Sequence, residues 1–179
     1  MQIVRSVIFS FLFLCQSVAA QNIGLEKLNQ EMDLLYREGK FAQAVALAQQ
    51  ALEITEKTYG LEHLDVALGL NHLAELYRLQ GQYALAEPLY KRSLAIREKA
   101  FGPDHSNVAS VLNNLGILYL TQAQYTQAEQ FLKRALAISE SAFGSDHPNV
   151  ATNLYNLAAL YVDQGQYAQA EPLYKRALT

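Results

Sequence analysis

An all-α solenoid of antiparallel helix hairpins is the fold this sequence predicts, on three observations. A 42-residue phrase recurs: Gly81-Gln82-Tyr83 returns as Ala123-Gln124-Tyr125 and Gly165-Gln166-Tyr167. His63-Leu64-Asp65-Val66 likewise returns as His105-Ser106-Asn107-Val108 and His147-Pro148-Asn149-Val150. A fixed period of about 20–50 residues marks a stack of like units. Within each phrase, apolar residues fall at helical spacing, and two such runs are parted by a corner too short for anything but an antiparallel hairpin.

In the second unit, Val66, Leu70, Leu73, Ala74 and Tyr77 form one stripe of a first helix. Gly81 ends that helix at little cost, because glycine accepts positive φ. Tyr83 opens a second helix carrying Ala86, Leu89, Tyr90, Leu94 and Ala95, which runs to about Phe101 and stops at Gly102. Gly102-Pro103-Asp104-His105 is turn chemistry, and the next first helix begins near Ser106-Asn107. Ala74, Gly116 and Ala158 share one slot, and Ala86, Ala128 and Ala170 another. Small side chains there let paired helices approach, while Tyr77, Tyr119, Tyr161, Leu89, Phe131 and Leu173 fill the neighbouring slots.

The ends differ from the middle. Residues 21–62 read as a partial N-terminal capping hairpin, with helices Leu28 to Glu38 and Phe41 to Tyr59 joined at Gly39-Lys40. Tyr36 sits three residues before Gly39 and Tyr77 four before Gly81, so one residue is expected to be missing at that corner. The polar character of this first helix suits a lid. Residues 63–179 read as three 42-residue units, the last truncated, with Leu173, Tyr174 and Leu178 expected to be partly uncovered. Residues 1–20 have the layout of a secretory signal peptide: Arg5, an apolar run from Val7 to Leu14, and small residues Ser17-Val18-Ala19-Ala20, with cleavage expected after Ala20 or Ala19. An uncleaved segment would be a membrane anchor, although the run is short of the roughly 20 residues a span needs.

Cys15 is the one cysteine and lies in that segment, so the processed chain has no disulfide and no thiol chemistry. Leu14 before it argues against a lipid anchor. The formal charge is −3, and removing the +1 of Arg5 leaves −4. Basic residues cluster only as Lys91-Arg92, Lys133-Arg134 and Lys175-Arg176, expected on a solvated face of the second helices. A nucleic-acid partner would want a basic stripe.

The slots Leu-x2-Leu-Ala/Gly-x2-Tyr, Gly-x-Tyr-x2-Ala and Ala/Ser-Leu resemble the tetratricopeptide repeat, in the 42-residue form of kinesin light chains and their bacterial relatives. Tyr155 to Tyr161 and Gln169 to Leu178 carry the likeness most clearly, and it covers about Leu28 to Thr179. The resemblance implies a right-handed superhelix whose first helices line a concave groove, with binding rather than catalysis as its activity. By position it assigns Leu68, Asn71, Glu75, Arg78 and Leu79 to the groove of the second unit. The third would present Ser110, Asn113, Ile117, Leu120 and Thr121, and the fourth Thr152, Tyr155, Ala159, Val162 and Asp163. Asn114 and Asn156 occupy a slot that in some relatives holds a peptide main chain, and His72 is the departure there. The groove lacks the lysines with which some relatives clamp a terminal carboxylate, and the kinesin role does not transfer to an exported chain.

Three corner histidines at the repeat period invite a metal reading. Helices one repeat apart lie about 8–10 Å from each other, whereas zinc ligands converge within about 2.3 Å of one point, so a structural role is expected and no metal or cofactor. Glu87, Glu129 and Glu171 precede Lys91, Lys133 and Lys175 by four residues, the favourable order for a surface pair worth about 0.2–0.5 kcal/mol. No serine, histidine and aspartate set has the context of a catalytic triad. Most tyrosines belong to core slots; Tyr155 replaces the asparagine of the earlier units and is expected to anchor a ligand. The expected function is non-catalytic binding of a protein or peptide in a periplasm or outside the cell. Self-association through the uncapped last repeat, or an interaction fragment of a larger protein, are the alternatives.

Overall fold

A computed structural model describes residues 24–178; the expected signal segment, Cys15 and Thr179 lie outside them. Among the described residues, eight helices pair into four hairpins. Helix α1 covers described residues 24–37 and α2 Phe41–Tyr59. The second hairpin is α3 (Leu64–Leu79) and α4 (Tyr83–Phe101), the third α5 (Ser106–Thr121) and α6 (Tyr125–Phe143), the fourth α7 (Pro148–Asp163) and α8 (Tyr167–Ala177). Among the described residues there is no strand.

The expected corners are where the helices end. Gly39, Gly81 and Gly165 sit at φ of 70° to 73°, in the left-handed region open to glycine. Ala123 holds the same corner at φ 55° with a side chain, the one non-glycine at positive φ among the described residues. At the opposite end of each hairpin, His63, His105 and His147 are N-caps. Their Nδ1 atoms accept the backbone N–H of Asp65, Asn107 and Asn149 at 3.2, 3.1 and 3.1 Å. Each ring stacks on the aromatic that closes the preceding helix, Tyr59, Phe101 or Phe143, with centroids 4.8, 4.6 and 4.3 Å apart. The corner histidines are therefore caps that staple one unit to the next.

The first corner corrects the sequence reading. Gly39 N–H donates to Tyr36 C=O and Lys40 N–H to Leu35 C=O, as Gly81 donates to Arg78 and Gln82 to Tyr77. No residue is missing. Leu35 takes the core slot of Tyr77, and Tyr36 takes the slot of Arg78. In α4 the buried positions are Ala86, Tyr90, Ser93 and Ile96, and Ala95 is exposed rather than part of the stripe. Ser93 is tolerated there because its hydroxyl donates to Ala67 C=O at 2.6 Å.

The largest apolar cluster runs from Ala74 to Ala170 and contains the five alanines of the small slots. A Cβ on Gly116 would lie 2.5 Å from Leu132 Cγ, so α5 and α6 touch closer there than any side chain permits. The Cα atoms of α3 and α5, and of α5 and α7, come within 8 Å of each other, whereas α4 and α6 nowhere do. First helices crowd and second helices splay, so the stack curves with α3, α5 and α7 on its inner surface.

Candidate functional groove

The inner surface is built from corresponding slots of successive first helices. One slot holds Asp33, Glu75, Ile117 and Ala159; the next turn holds Tyr36, Arg78, Leu120 and Val162. The groove thus changes character along its length, charged and aromatic over α1 and α3, apolar over α5 and α7. Leu68, Ser110, Thr152 and Asp163 are exposed, and Ile117, Leu120 and Ala159 half-buried.

The groove asparagines bond to one another between units. Asn114 Nδ2 donates to Asn71 Oδ1 at 3.0 Å, and Asn156 Nδ2 donates to Asn113 Oδ1 at 2.8 Å. The two slots form a ladder in which each unit bonds back to the one before. Asn113 is 9 % exposed beneath it and lines a cleft of about 160 Å³ with Ser110, Asn114 and Thr152. Each donating amide keeps its oxygen and a second N–H for a ligand. His72 sits in the matching slot above Asn29, and both line a cleft of about 320 Å³ between α1 and α3. Burial, then the charge of Arg97, pull the His72 imidazole below its ordinary value despite Asp33 nearby.

Tyr155, the tyrosine expected in the groove, is exposed. Its slot looks toward the C-terminal neighbour, as Asn71 and Asn113 do, and its ring packs edge-on against Tyr174 at 5.3 Å. At 58 % exposure it belongs to the end face of the stack, with Leu178 at 88 %.

Glu75 and Arg78 form a half-buried charged cluster in the groove of the second unit. Arg78 Nε and Nη2 donate to the two oxygens of Glu75 at 2.8 and 2.6 Å, and Tyr90 hydroxyl donates to Oε2 at 2.7 Å. Burial opposes ionisation of Glu75, but the hydrogen bonds from Arg78 and Tyr90 and the guanidinium charge win and hold its carboxyl below the ordinary value. Burial and the adjacent carboxylate push the Tyr90 hydroxyl up.

Three features escaped sequence reasoning. Tyr119 and Tyr161 hydroxyls donate to Glu87 and Glu129 of the preceding unit, both at 2.8 Å. Those carboxylates are also the partners of Lys91 and Lys133, at 2.6 and 2.7 Å. Arg92, Arg134 and Arg176 pair with Glu56, Glu98 and Glu140 one unit earlier, so the basic pairs span units rather than only marking a solvated face. Arg97, where other units have Thr55 and Ser139, reaches α5 and donates from Nη1 to Asn107 C=O at 2.8 Å and Ser110 Oγ at 3.3 Å. Reading the repeat columns in pairs one period apart would have exposed the first two.

Compared by sequence with curated proteins, the chain matches none. Among solved structures it is similar to BtubC (BKLC) from P. vanneervenii, at 29 % identity and a TM-score of 0.75, over 86 % of this chain and 61 % of that one. The chain therefore spans about three fifths of that relative's length. It is similar to a Podosopora anserina kinesin light chain of nearly identical TPR-like repeats, at 25 % identity and TM-score 0.75, over 86 % and 72 % of the two chains. Pseudomonas aeruginosa pilF shares the fold at 23 % identity and TM-score 0.66, over 89 % of this chain and 62 % of that one. A family profile described as tetratricopeptide repeat matches residues 33–99, 65–141 and 122–179. With its four hairpins in one register and its corners in the same slots, the chain belongs to the tetratricopeptide repeat family.

Proposed function

We propose that the chain is a non-catalytic scaffold that binds an extended protein or peptide along the concave face of α3, α5 and α7. The observation that carries this is the groove itself: a continuous inner surface with half-open apolar slots at Ile117, Leu120, Ala159 and Val162, beside an amide ladder with bonding capacity to spare. Apolar slots take side chains and amides take main chain, which is how a groove holds an extended segment. Repeat solenoids of this kind use their curved surface for partners. The proposal includes export, on Arg5, the 7–14 run and residues 17–20, so that the partner would be met in a periplasm or outside the cell. Among the described residues no helix is long and apolar enough to cross a membrane.

A pull-down from the exported fraction tests the reading. Ile117→Lys combined with Val162→Lys, with circular dichroism confirming the fold, should abolish recovery of the partner. Undiminished recovery would remove the groove from the account. Mass spectrometry of the processed N-terminus tests export: it should start at Ala20 or Gln21.

A second reading rests on a separate observation. Tyr155, Tyr174 and Leu178 leave an apolar end face, which favours stacking on a second copy or on further repeats of a larger protein. Sedimentation at rising concentration separates the two functions: a chain that stays monomeric rules out self-assembly.

A further inference from the structure

The charged end of the groove carries a more specific prediction, which rests on the binding reading above. Between α1 and α3 lies a half-open cleft of about 220 Å³ lined by Met32, Asp33, Tyr36, His72, Glu75 and Leu76. It adjoins the cleft of about 320 Å³ described above, with which it shares Met32, Asp33 and His72, and its own volume is that of one side chain. Its floor is apolar, from Met32 and Leu76, both buried. Its rim carries an aromatic face, Tyr36, at 45 % exposure although it is held edge-on by Phe41 at 5.8 Å.

The charges of the cleft do not cancel. Glu75 is neutralised by the bidentate guanidinium of Arg78. Burial shifts the His72 imidazole toward its neutral form. Asp33 has no ion-pair partner among the described residues, and it occupies the groove slot of Glu75 one unit earlier. One carboxylate therefore faces an open cleft beside an aromatic ring. Among the described residues that constellation exists once: the same two slots hold Ile117 with Leu120 and Ala159 with Val162 in the later units.

We infer that this cleft receives an arginine or lysine side chain of the partner, its methylene stem on Met32 and Leu76 and its cation between Asp33 and the ring of Tyr36. Aliphatic stems of basic residues bury readily while the charged head stays at a polar rim, and a cation over a tyrosine face is attracted by its quadrupole. The apolar slots of α5 and α7 lie one and two repeats further on, or about 10 and 20 Å at helix-packing distances. An extended strand covers that in about three and six residues at roughly 3.3 Å each. The recognised segment is thus a basic residue followed or preceded, at those spacings, by apolar ones.

The test is an NMR titration of the full chain with N-acetyl-arginine amide, N-acetyl-citrulline amide, N-acetyl-glutamate amide and an alanine hexapeptide carrying one arginine. Arginine amide should shift the Tyr36 ring and Met32 methyl resonances saturably, and Asp33→Asn should weaken it about fivefold, the factor that about 1 kcal/mol represents. Tyr36→Leu gives a second variant on an exposed position, with a loss of similar size expected. The hexapeptide should bind more tightly than the amide, because its main chain reaches the ladder. Citrulline binding as well as arginine, preference for glutamate, an Asp33→Asn variant equal to wild type, or equal affinity of amide and hexapeptide would each overturn the socket. A socket that fails while the pull-down still recovers a partner leaves the groove reading standing, and the reverse outcome separates them equally.

Discussion

Gly116 and Ala123 show how much a single side chain decides in a repeat. Gly116 is where α5 meets Leu132 with no room for a methyl, at 2.5 Å from an added Cβ. Gly116→Ala should destabilise the chain by about 1–3 kcal/mol through overpacking, even though alanine favours helix. Ala123 is the opposite case, an L-residue at φ 55° in a corner where three other units use glycine. The left-handed region costs an L-residue about 1–2 kcal/mol, and glycine returns part of that as unfolded-state entropy. Ala123→Gly should therefore raise the urea midpoint, by about 0.5–1 kcal/mol of stability. Both positions were legible as columns of the 42-residue phrase, because small residues recur where helices touch and glycine where they turn. The role of Asn113 was not legible, because its burial depends on a bond from Asn156 in the next unit, and a column read alone does not show its neighbour.

Helices in this chain are joined by latches between units: the arginine pairs recur at all three boundaries, the tyrosine and asparagine bonds at the last two. Tyr161 to Glu129, Arg176 to Glu140 and Asn156 to Asn113 tie the fourth hairpin to the third on separate faces. The arginine pairs are more than a third exposed on the arginine side and contribute about 0–1 kcal/mol each. The asparagine rung matters more, since Asn156→Ala strands a buried acceptor on Asn113. A loss of about 1–2 kcal/mol is expected by chemical denaturation, while Asn156→Ala with Asn113→Ala should recover part of it. Helix ends followed from glycine and turn chemistry, and the observed helices stop where Gly60, Gly102 and Gly144 stand. The register of α1 did not follow. Its tyrosine invites alignment with Tyr77, whereas the backbone hydrogen bonds at Gly39 put Leu35 in that slot. Matching residue types misleads where a capping helix has traded a core aromatic for leucine.

Across the whole molecule, the core and the groove run through units that touch only their neighbours, so local changes are felt at the adjoining boundaries. The Glu75 cluster makes stability depend on acid. Its carboxyl is depressed below 4.5 in the folded chain, so its contribution is complete above that pH and disappears as pH falls through the folded value. Urea midpoints of wild type and Glu75→Gln should differ most near neutrality and converge on the acid side. The architecture of the groove could be read from periodicity, but its occupancy could not. Which inner side chains are open depends on slot-to-slot bonds between units, and that is why Asp33 and Tyr36 were not among the expected groove residues. The most direct test of the account places a photocrosslinking amino acid at Ile117 or Val162 on the inner face, and at Gln130 or Ala137, exposed on α6. Crosslinked partner from the inner positions alone is the predicted result; equal or stronger crosslinking from α6 would contradict it.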